Sequence, residues 1–266
     1  MGRLSGKVVL VSGAARGLGA AAASTMALEG AKLVVCDILD EEGEDVAGGI
    51  QAQGGEAIFC HVDVAHQADW AAATDEAVRR FGGVDVLVNN AGLHLGKGIE
   101  EATLAEWQRL CDVNLTGAIL GIKALLPTLR ERAQASEHGG AIINMSSTSG
   151  LVGSANAPLY SLTKGGITLL TKALAVDFGQ RGYRIRVNSV HPGMVDTDMG
   201  LQSVVARARR LGTDDLELAR AQAVRAYPLG RMATTRDIAQ ALVYLASDES
   251  SFVTGIALPV DGGFTA

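Results

Sequence analysis

Short β-branched, apolar runs recur along this chain at residues 7–12, 32–37, 56–63, 84–90, 140–147, 184–192 and 256–261. Longer, Ala-rich amphipathic stretches separate most of them, at 17–29, 40–53, 66–81, 103–133, 158–180 and 235–247. A strand-length run followed by a helix-length run, repeated, builds βαβ units. Right-handed crossovers then make the strands parallel and put helices on both faces of the sheet. Aromatic residues are only 4% of the 266, while glycine occurs 33 times. The core must therefore come from Val, Ile, Leu and Ala packed closely, as in a sheet buried on both sides. The expectation is α/β: one domain over residues 1–266, a Rossmann-type doubly wound fold with a seven-stranded parallel sheet.

Two stretches break the rhythm. Residues 131–140, ERAQASEHGG, read as a solvated loop before the fifth strand. Residues 194–230 are too long for an ordinary connection and contain two helical pieces, LQSVVARARRL and DLELARAQAVRAY. An insertion of this length beside a strand end is expected to be a substrate lid.

Several function classes are disfavoured. A net charge of −6 argues against a nucleic-acid surface. No run of 18 apolar residues suggests a membrane span. The N-terminus enters a strand without a separate apolar leader, and three cysteines show no C-x-x-C spacing. Reduced thiols in a cytoplasmic protein are expected. The histidines at 61, 66, 94, 138 and 191 have no ligand spacing, so no metal is expected.

The first strand runs into SGAARGLGA, with Gly13, Gly17 and Gly19 beside Arg16 and Leu18. Glycines here permit a tight turn and close approach to a pyrophosphate, and the helix that follows offers free N–H groups. The G-x-x-x-G-x-G spacing departs from the usual G-x-G-x-x-G fingerprint, which points to a different dinucleotide family. The second strand ends in Asp37, placed to accept both ribose hydroxyls. That carboxylate repels a 2′-phosphate, so NAD is expected over NADP, with Arg16 the competing feature. Asp63 and Val64 follow the third strand, beside the adenine, although Asp63 also suits a helix N-cap. Asn90, Ala91 and Gly92 close the fourth. All these residues lie at carboxyl ends of strands, where open α/β sheets bind ligands.

Tyr160 and Lys164 are four residues apart in a helical stretch, so they share a face. Hydride removal from an alcohol requires a proton acceptor. A free phenol, with a pKa of about 10, is a poor base near neutrality. A neighbouring ammonium and a positive nicotinamide would stabilise phenolate and lower that value. Ser147, at the end of the fifth strand, could hold the substrate oxygen as charge develops. Ser146 is its rival.

With SGAARGLG, NNAG, Asn114 of DVNLTG, Ser147, YSLTK and HPGMVDT in one order, the chain resembles the short-chain dehydrogenase/reductase family along essentially its whole length. The resemblance implies a Ser-Tyr-Lys triad extended by Asn114, which holds a proton-relaying water. It also implies Tyr160 as acid/base, Lys164 as its partner and ribose ligand, and Ser147 as the substrate-orienting hydroxyl. Pro192, Gly193 and Val195 would shape the nicotinamide wall, and Thr197 would bond its carboxamide. Ser12 stands where the family has Thr. A homotetramer is implied as well, with the C-terminal LPVDGGFTA near a subunit contact.

Residues expected around the substrate are largely apolar: Leu93, Leu95, Leu151, Val152, Pro158, Met194, Met199 and Leu201, with His94 and His191 as polar options. Such a lining suits a bulky, uncharged alcohol or ketone. GYRIRVNSVHPG, INMSS and SDESS are similar to runs in bacterial hydroxysteroid and cyclic secondary-alcohol dehydrogenases of the family. A 3-oxoacyl-[acyl-carrier-protein] reductase is the alternative, disfavoured by Asp37. A non-catalytic NAD-binding regulator is a further one, disfavoured by the intact tetrad. Arg207, Arg209 and Arg210 read as the solvated face of the lid or as an attraction for an acyl carrier or phosphate.

Overall fold

The structure, a computed structural model, describes residues 2–266. Among these, the strands are β1 (Val8–Ser12), β2 (Lys32–Asp37), β3 (Glu56–His61), β4 (Val86–Asn89), β5 (Gly140–Met145), β6 (Ile185–Pro192) and β7 (Ala257–Val260). The helices are α1 (Gly17–Leu28), α2 (Asp40–Ala52), α3 (Gln67–Phe81), α4 (Leu104–Cys111), α5 (Gly117–Ala135), α6 (Pro158–Gln180), α7 (Asp198–Leu211), α8 (Leu216–Val224) and α9 (Thr235–Ala246). The strands form one parallel sheet in the order β3-β2-β1-β4-β5-β6-β7. Chain order reverses between β1 and β4, which opens a crevice at their carboxyl ends.

The period-2 alternation of each strand sorts the core into two layers. Val9, Val11, Leu33, Val35 and Ile143 face α1 and α9, packing on Ala22, Met26 and Leu242. Val8, Leu10, Val34, Leu87 and Ile142 face α3 and α5, packing on Trp70, Leu125 and Leu129. Every residue of β1, β5 and β6 is buried, which explains why β1 and β5 read as largely apolar runs, whereas β6 buries Arg186, Asn188, Ser189 and His191 with hydrogen-bond partners.

The stretch expected as one helix over 103–133 is two helices. A π-helical turn, Asp112–Thr116, separates α4 from α5. An inserted residue in a helix is invisible to a 3.6-residue pattern, and such bulges are frequent at functional sites. The turn carries Asn114 into the interior. The expected loop over 131–140 is also shortened, because α5 continues to Ala135. Pro127 does not end that helix. It and Lys123, whose carbonyl the ring displaces, both face solvent, so water can satisfy that carbonyl.

Residues 104–135 are long and apolar enough, by composition, to cross a bilayer. In the fold this segment is α4, the π turn and α5, with Leu110, Ile122, Leu125 and Leu129 buried.

Candidate active site

The glycine loop follows β1 because only glycines fit its turns. Gly13 has φ +64°, and a Cβ there would lie 2.7 Å from Ala91 Cα. A Cβ at Gly19 would collide with the Gly13 carbonyl and lie 2.6 Å from Asn90 Nδ2. Gly17 has φ +56° and open space around its Cβ position. Ser12 joins this loop to the end of β4: its hydroxyl accepts from Asn90 N–H at 3.1 Å and Ala91 N–H at 3.2 Å. The Asn90 amide donates to the Ser12 and Gly13 carbonyls at 2.9 and 2.8 Å. The loop is thus held open toward the crevice, a cradle that suits a pyrophosphate at the start of α1.

Asp37 is buried at the end of β2. Its Oδ2 accepts from Ala15 N–H at 2.9 Å, and its Oδ1 from Ile38 and Leu39 N–H at 2.8 and 3.2 Å. The carboxylate is oriented by three backbone donors and retains acceptor capacity on Oδ2. Asp63 does not cap α3, whose N-cap is His66. Its Oδ1 accepts from Ala65 N–H at 3.0 Å. The turn that presents Asp63 and Val64 is anchored by Trp70, whose Nε1 donates to the Val64 carbonyl at 2.9 Å. A residue larger than Gly121 could not face that indole, since a Cβ there would lie 2.7 Å from it.

Tyr160 and Lys164 share the inner face of α6, both buried, with Lys164 Nζ 5.7 Å from the phenol ring centre. The ammonium donates to the Met145 carbonyl at the end of β5, at 2.8 Å. Ser147 extends from that strand into the cleft, its Oγ accepting from Ser149 N–H at 3.1 Å. Its rival points elsewhere: Ser146 Oγ donates to the Lys164 carbonyl at 2.9 Å and meets Thr168 Oγ1 at 3.0 Å. Gly150 permits this packing, because a Cβ there would lie 2.6 Å from Ser146 Oγ. Asn114 sits behind the cleft. Its Oδ1 accepts from Leu93 N–H at 2.7 Å, and its Nδ2 donates to the Leu93 carbonyl and Thr163 Oγ1 at 2.9 and 3.1 Å. It therefore pins the segment that follows β4 against α6.

Burial sets the electrostatics of the Tyr160–Lys164 pair. Burial pushes the Tyr160 phenol up to about 12, with the Ser147 hydroxyl pulling the other way. In the protein without cofactor desolvation dominates, and the lysine is itself pushed down to about 8 by burial. The linkage has a definite sign. From about 8 to its ordinary 10.5 the unfolded chain binds more protons at Lys164 than the folded one. Stability from this group therefore rises with pH across that window, by about 3 kcal/mol at most. Thermal melts should show Lys164→Met gaining most on wild type below pH 8, the gap closing toward pH 10. A pH-independent gap would refute this.

One cleft of about 1860 Å³ runs along the carboxyl edge. It is lined by Gly13, Arg16, Gly17, Leu18, Gly19, Asp37, Asp63, Val64, Asn90, Ala91 and Gly92, then by Ser147, Tyr160 and Lys164. Pro192, Gly193, Val195 and Thr197 complete its wall. Thr197 also caps α7, its Oγ1 accepting from Gly200 N–H at 3.3 Å.

Among the expected substrate-pocket residues, Leu93, His94, Val152, Met194, Met199 and Leu201 line the cleft. His94 meets the Tyr160 ring edge-on at 4.8 Å, and burial lowers its pKa. Leu95, Leu151 and Pro158 are not among its lining residues. Pro158 opens the first turn of α6, where its missing N–H costs nothing, and Leu151 lies exposed after a short 3₁₀ turn. His191 is no pocket residue either. It is fully buried in β6, its Nδ1 2.8 Å from the Ser147 carbonyl and its Nε2 2.8 Å from Ser189 Oγ. Sequence reasoning missed this support for Ser147, as it missed Tyr227, whose OH accepts from Met194 N–H at 2.9 Å. Nothing local signals either contact, since 44 and 33 residues separate the partners.

Comparison with known proteins agrees with this geometry. A short-chain dehydrogenase family model, described as "Enoyl-(Acyl carrier protein) reductase", matches residues 13–265. A trans-4-hydroxycyclohexanecarboxylate dehydrogenase of Sinomonas cyclohexanicum is 44% identical, over 99% of this chain and 95% of that protein. A 3-alpha-(or 20-beta)-hydroxysteroid dehydrogenase of Mycobacterium tuberculosis is 46% identical, over 100% of this chain and 92% of that protein. A cyclopentanol dehydrogenase of Comamonas testosteroni is 40% identical, over the full length of both. With likeness running from the glycine loop to the last residues of the chain, the protein belongs to the short-chain dehydrogenase/reductase family of nicotinamide-dependent oxidoreductases.

Proposed function

We propose that this protein is an NAD-dependent dehydrogenase that interconverts a bulky, largely apolar cyclic secondary alcohol and its ketone, with Tyr160 as the acid/base. The observation that carries this reading is the meeting of Tyr160, Lys164 and Ser147 in the same cleft as the glycine loop and Asp37. The relatives named for hydroxysteroids, a hydroxycyclohexanecarboxylate and cyclopentanol support the substrate class.

A bound nicotinamide supplies the hydride acceptor, and the chain supplies everything else. Asp37 takes the adenosine ribose hydroxyls, the loop at Gly13–Gly19 takes the pyrophosphate, and Asp63 and Val64 border the adenine. Asn90, Ala91 and Gly92 shape the floor, and Pro192, Gly193 and Val195 the nicotinamide wall. Thr197 already accepts through its oxygen as a helix cap, which leaves its O–H to donate to a carboxamide. Ser147 holds the substrate oxygen, and Tyr160 takes its proton in oxidation or returns it in reduction. Lys164, anchored by Met145, holds a positive charge where phenolate forms. Asn114 positions the Leu93 segment and borders the route by which the proton reaches solvent. His94, Val152, Met194 and Met199 contact the substrate, under a lid formed by residues 194–230.

A panel of steroids, cycloalkanols, polyols and acyl thioesters, assayed with NAD and NADP, tests the reading. Cyclic secondary alcohols with NAD should give the highest kcat/KM. Preferred reduction of acyl thioesters with NADPH would sink it.

The working form is proposed as a homotetramer in the cytoplasm. Leu162, Leu169 and Val176 support assembly, since they form an exposed apolar stripe at seven-residue spacing along α6. Sedimentation velocity should give four copies, and Leu169→Glu should shift the protein to smaller species. A monomeric wild type would overturn the assignment. The three free cysteines fit a reducing compartment, which fractionation of the source cells would test.

A further inference from the structure

We infer that the inner wall of the lid holds a carboxylate subsite centred on Arg207, so that the preferred alcohol carries an anionic group away from its carbinol carbon. The inference rests on the reading of the cleft as a cyclic-alcohol site and adds a charge to a substrate otherwise expected to be apolar.

Arg207 is half-buried on α7. Its neighbours on that helix, Val204 and Ala208, are buried with Ala219 of α8 and pack against Met194. The backbone that carries Arg207 is therefore fixed beside a residue of the substrate pocket. Tyr227 stands at the same corner, its OH accepting from Met194 N–H at 2.9 Å and its ring stacked on Phe264 at 5.2 Å. Burial raises the Tyr227 phenol, the nearby Asp261 carboxylate adds to that rise and the positive charge of Arg207 opposes it, which places Arg207 and Tyr227 within electrostatic reach. The buried Asp261 carboxylate is itself taken up by Gly263 N–H and by the N–H and O–H of Thr265. Arg207, Met194, Tyr227 and Phe264 line the same cleft as Tyr160.

Two other arginines of this region have carboxylate partners, whereas Arg209 and Arg210 are unpaired with carboxylates but exposed to water. Arg220 pairs with Asp196 at 3.1 Å, and Arg231 pairs with Asp237 at 2.7 Å. Among the described residues, Arg207 has no carboxylate within ion-pair distance and donates no hydrogen bond. A half-buried guanidinium with no protein acceptor is free to take one from a ligand, and a carboxylate matches its planar fork with two parallel bonds. Charge balance points the same way. The chain carries a net −6, yet the cleft wall contributed by α4, the π turn and α7 presents Arg109, Arg207, Arg209 and Arg210 against Asp112 and Asp198. Arg209 and Arg210 are exposed and serve to draw an anion in, while Arg207 is the one placed to hold it.

The test uses hydroxycycloalkane and hydroxysteroid carboxylic acids beside their methyl esters, with wild type, Arg207→Gln and Arg207→Lys. Initial rates with NAD are measured at low and high salt. Calorimetry measures binding of each acid and ester to the NAD-loaded protein, so the result does not depend on turnover. In wild type at low salt the acid should show a KM or Kd about tenfold or more below that of its ester. Arg207→Gln should bring the acid-to-ester ratio near one, Arg207→Lys should keep part of it, and salt should shrink it.

Equal affinity for acid and ester overturns the subsite, as does an acid preference that survives Arg207→Gln. An Arg207-dependent gain seen with acyl thioesters bearing phosphates, and not with carboxylates, also overturns it. If no alcohol is oxidised but acids still bind through Arg207, the subsite stands and the dehydrogenase reading falls.

Discussion

Tyr160→Phe is expected to lower kcat about a thousandfold while leaving NAD affinity within about twofold, in line with the usual worth of a positioned proton-transfer group. The substitution removes one oxygen from a buried ring whose packing against His94, Leu93 and Trp107 is otherwise kept. Its melting temperature should stay close to that of wild type, because the phenol oxygen loses only its contact with Ser147. The pH profile provides a second reading. Burial holds the phenol up at about 12 in the protein alone. It is thus protonated at neutral pH and ready to donate in ketone reduction, whereas alcohol oxidation should speed up as pH rises. Difference ultraviolet spectra of wild type against Tyr160→Phe, without cofactor, should show no phenolate from this residue below pH 10. Retained turnover in the variant would remove Tyr160 from the chemistry.

Asp37→Ser is expected to shift cofactor choice. The buried carboxylate is held by the amides of Ala15, Ile38 and Leu39, so it cannot swing away from a 2′-phosphate. Removing its charge should cost NAD about a hundredfold in kcat/KM, the worth of one or two hydrogen bonds to a charged acceptor. The same change should relieve the repulsion of NADP, which Arg16, exposed at the mouth of the cleft, can then meet. The NAD-to-NADP preference ratio should therefore fall by about two to three orders of magnitude. Folding stability should drop by about 1–2 kcal/mol, because a serine oxygen cannot serve all three amides. Steady-state rates with both cofactors decide the matter. An unchanged ratio would show that Asp37 orders the loop without reading the ribose.

Much of this architecture is written in local patterns. Strand and helix positions are legible as short apolar runs between longer amphipathic stretches, because a parallel sheet covered on both faces buries nearly every strand residue while each helix buries one face. The glycine loop was legible because positive φ and missing side-chain space leave little choice but glycine at Gly13 and Gly19. Tyr160 and Lys164 were legible as a pair because four residues span one helical turn.

Other features arose only when distant segments met. Neither serine of the 146–147 pair is marked by its neighbours in sequence. Contact with α6 turns Ser146 inward, and His191 holds the backbone of Ser147 from β6. The π turn that buries Asn114 adds one residue without disturbing the apolar pattern on either side. The rise of the Tyr160 phenol comes from desolvation, a property of everything packed around a group rather than of the group beside it in sequence. The corner formed by Met194, Arg207 and Tyr227 joins three separate stretches of chain, and only the folded packing of α7 and α8 brings a guanidinium to the substrate cleft. Sequence determines what is set by neighbours within a turn or a strand, whereas tertiary structure decides burial, charge environment and the direction of a side chain, because those depend on atoms tens of residues away.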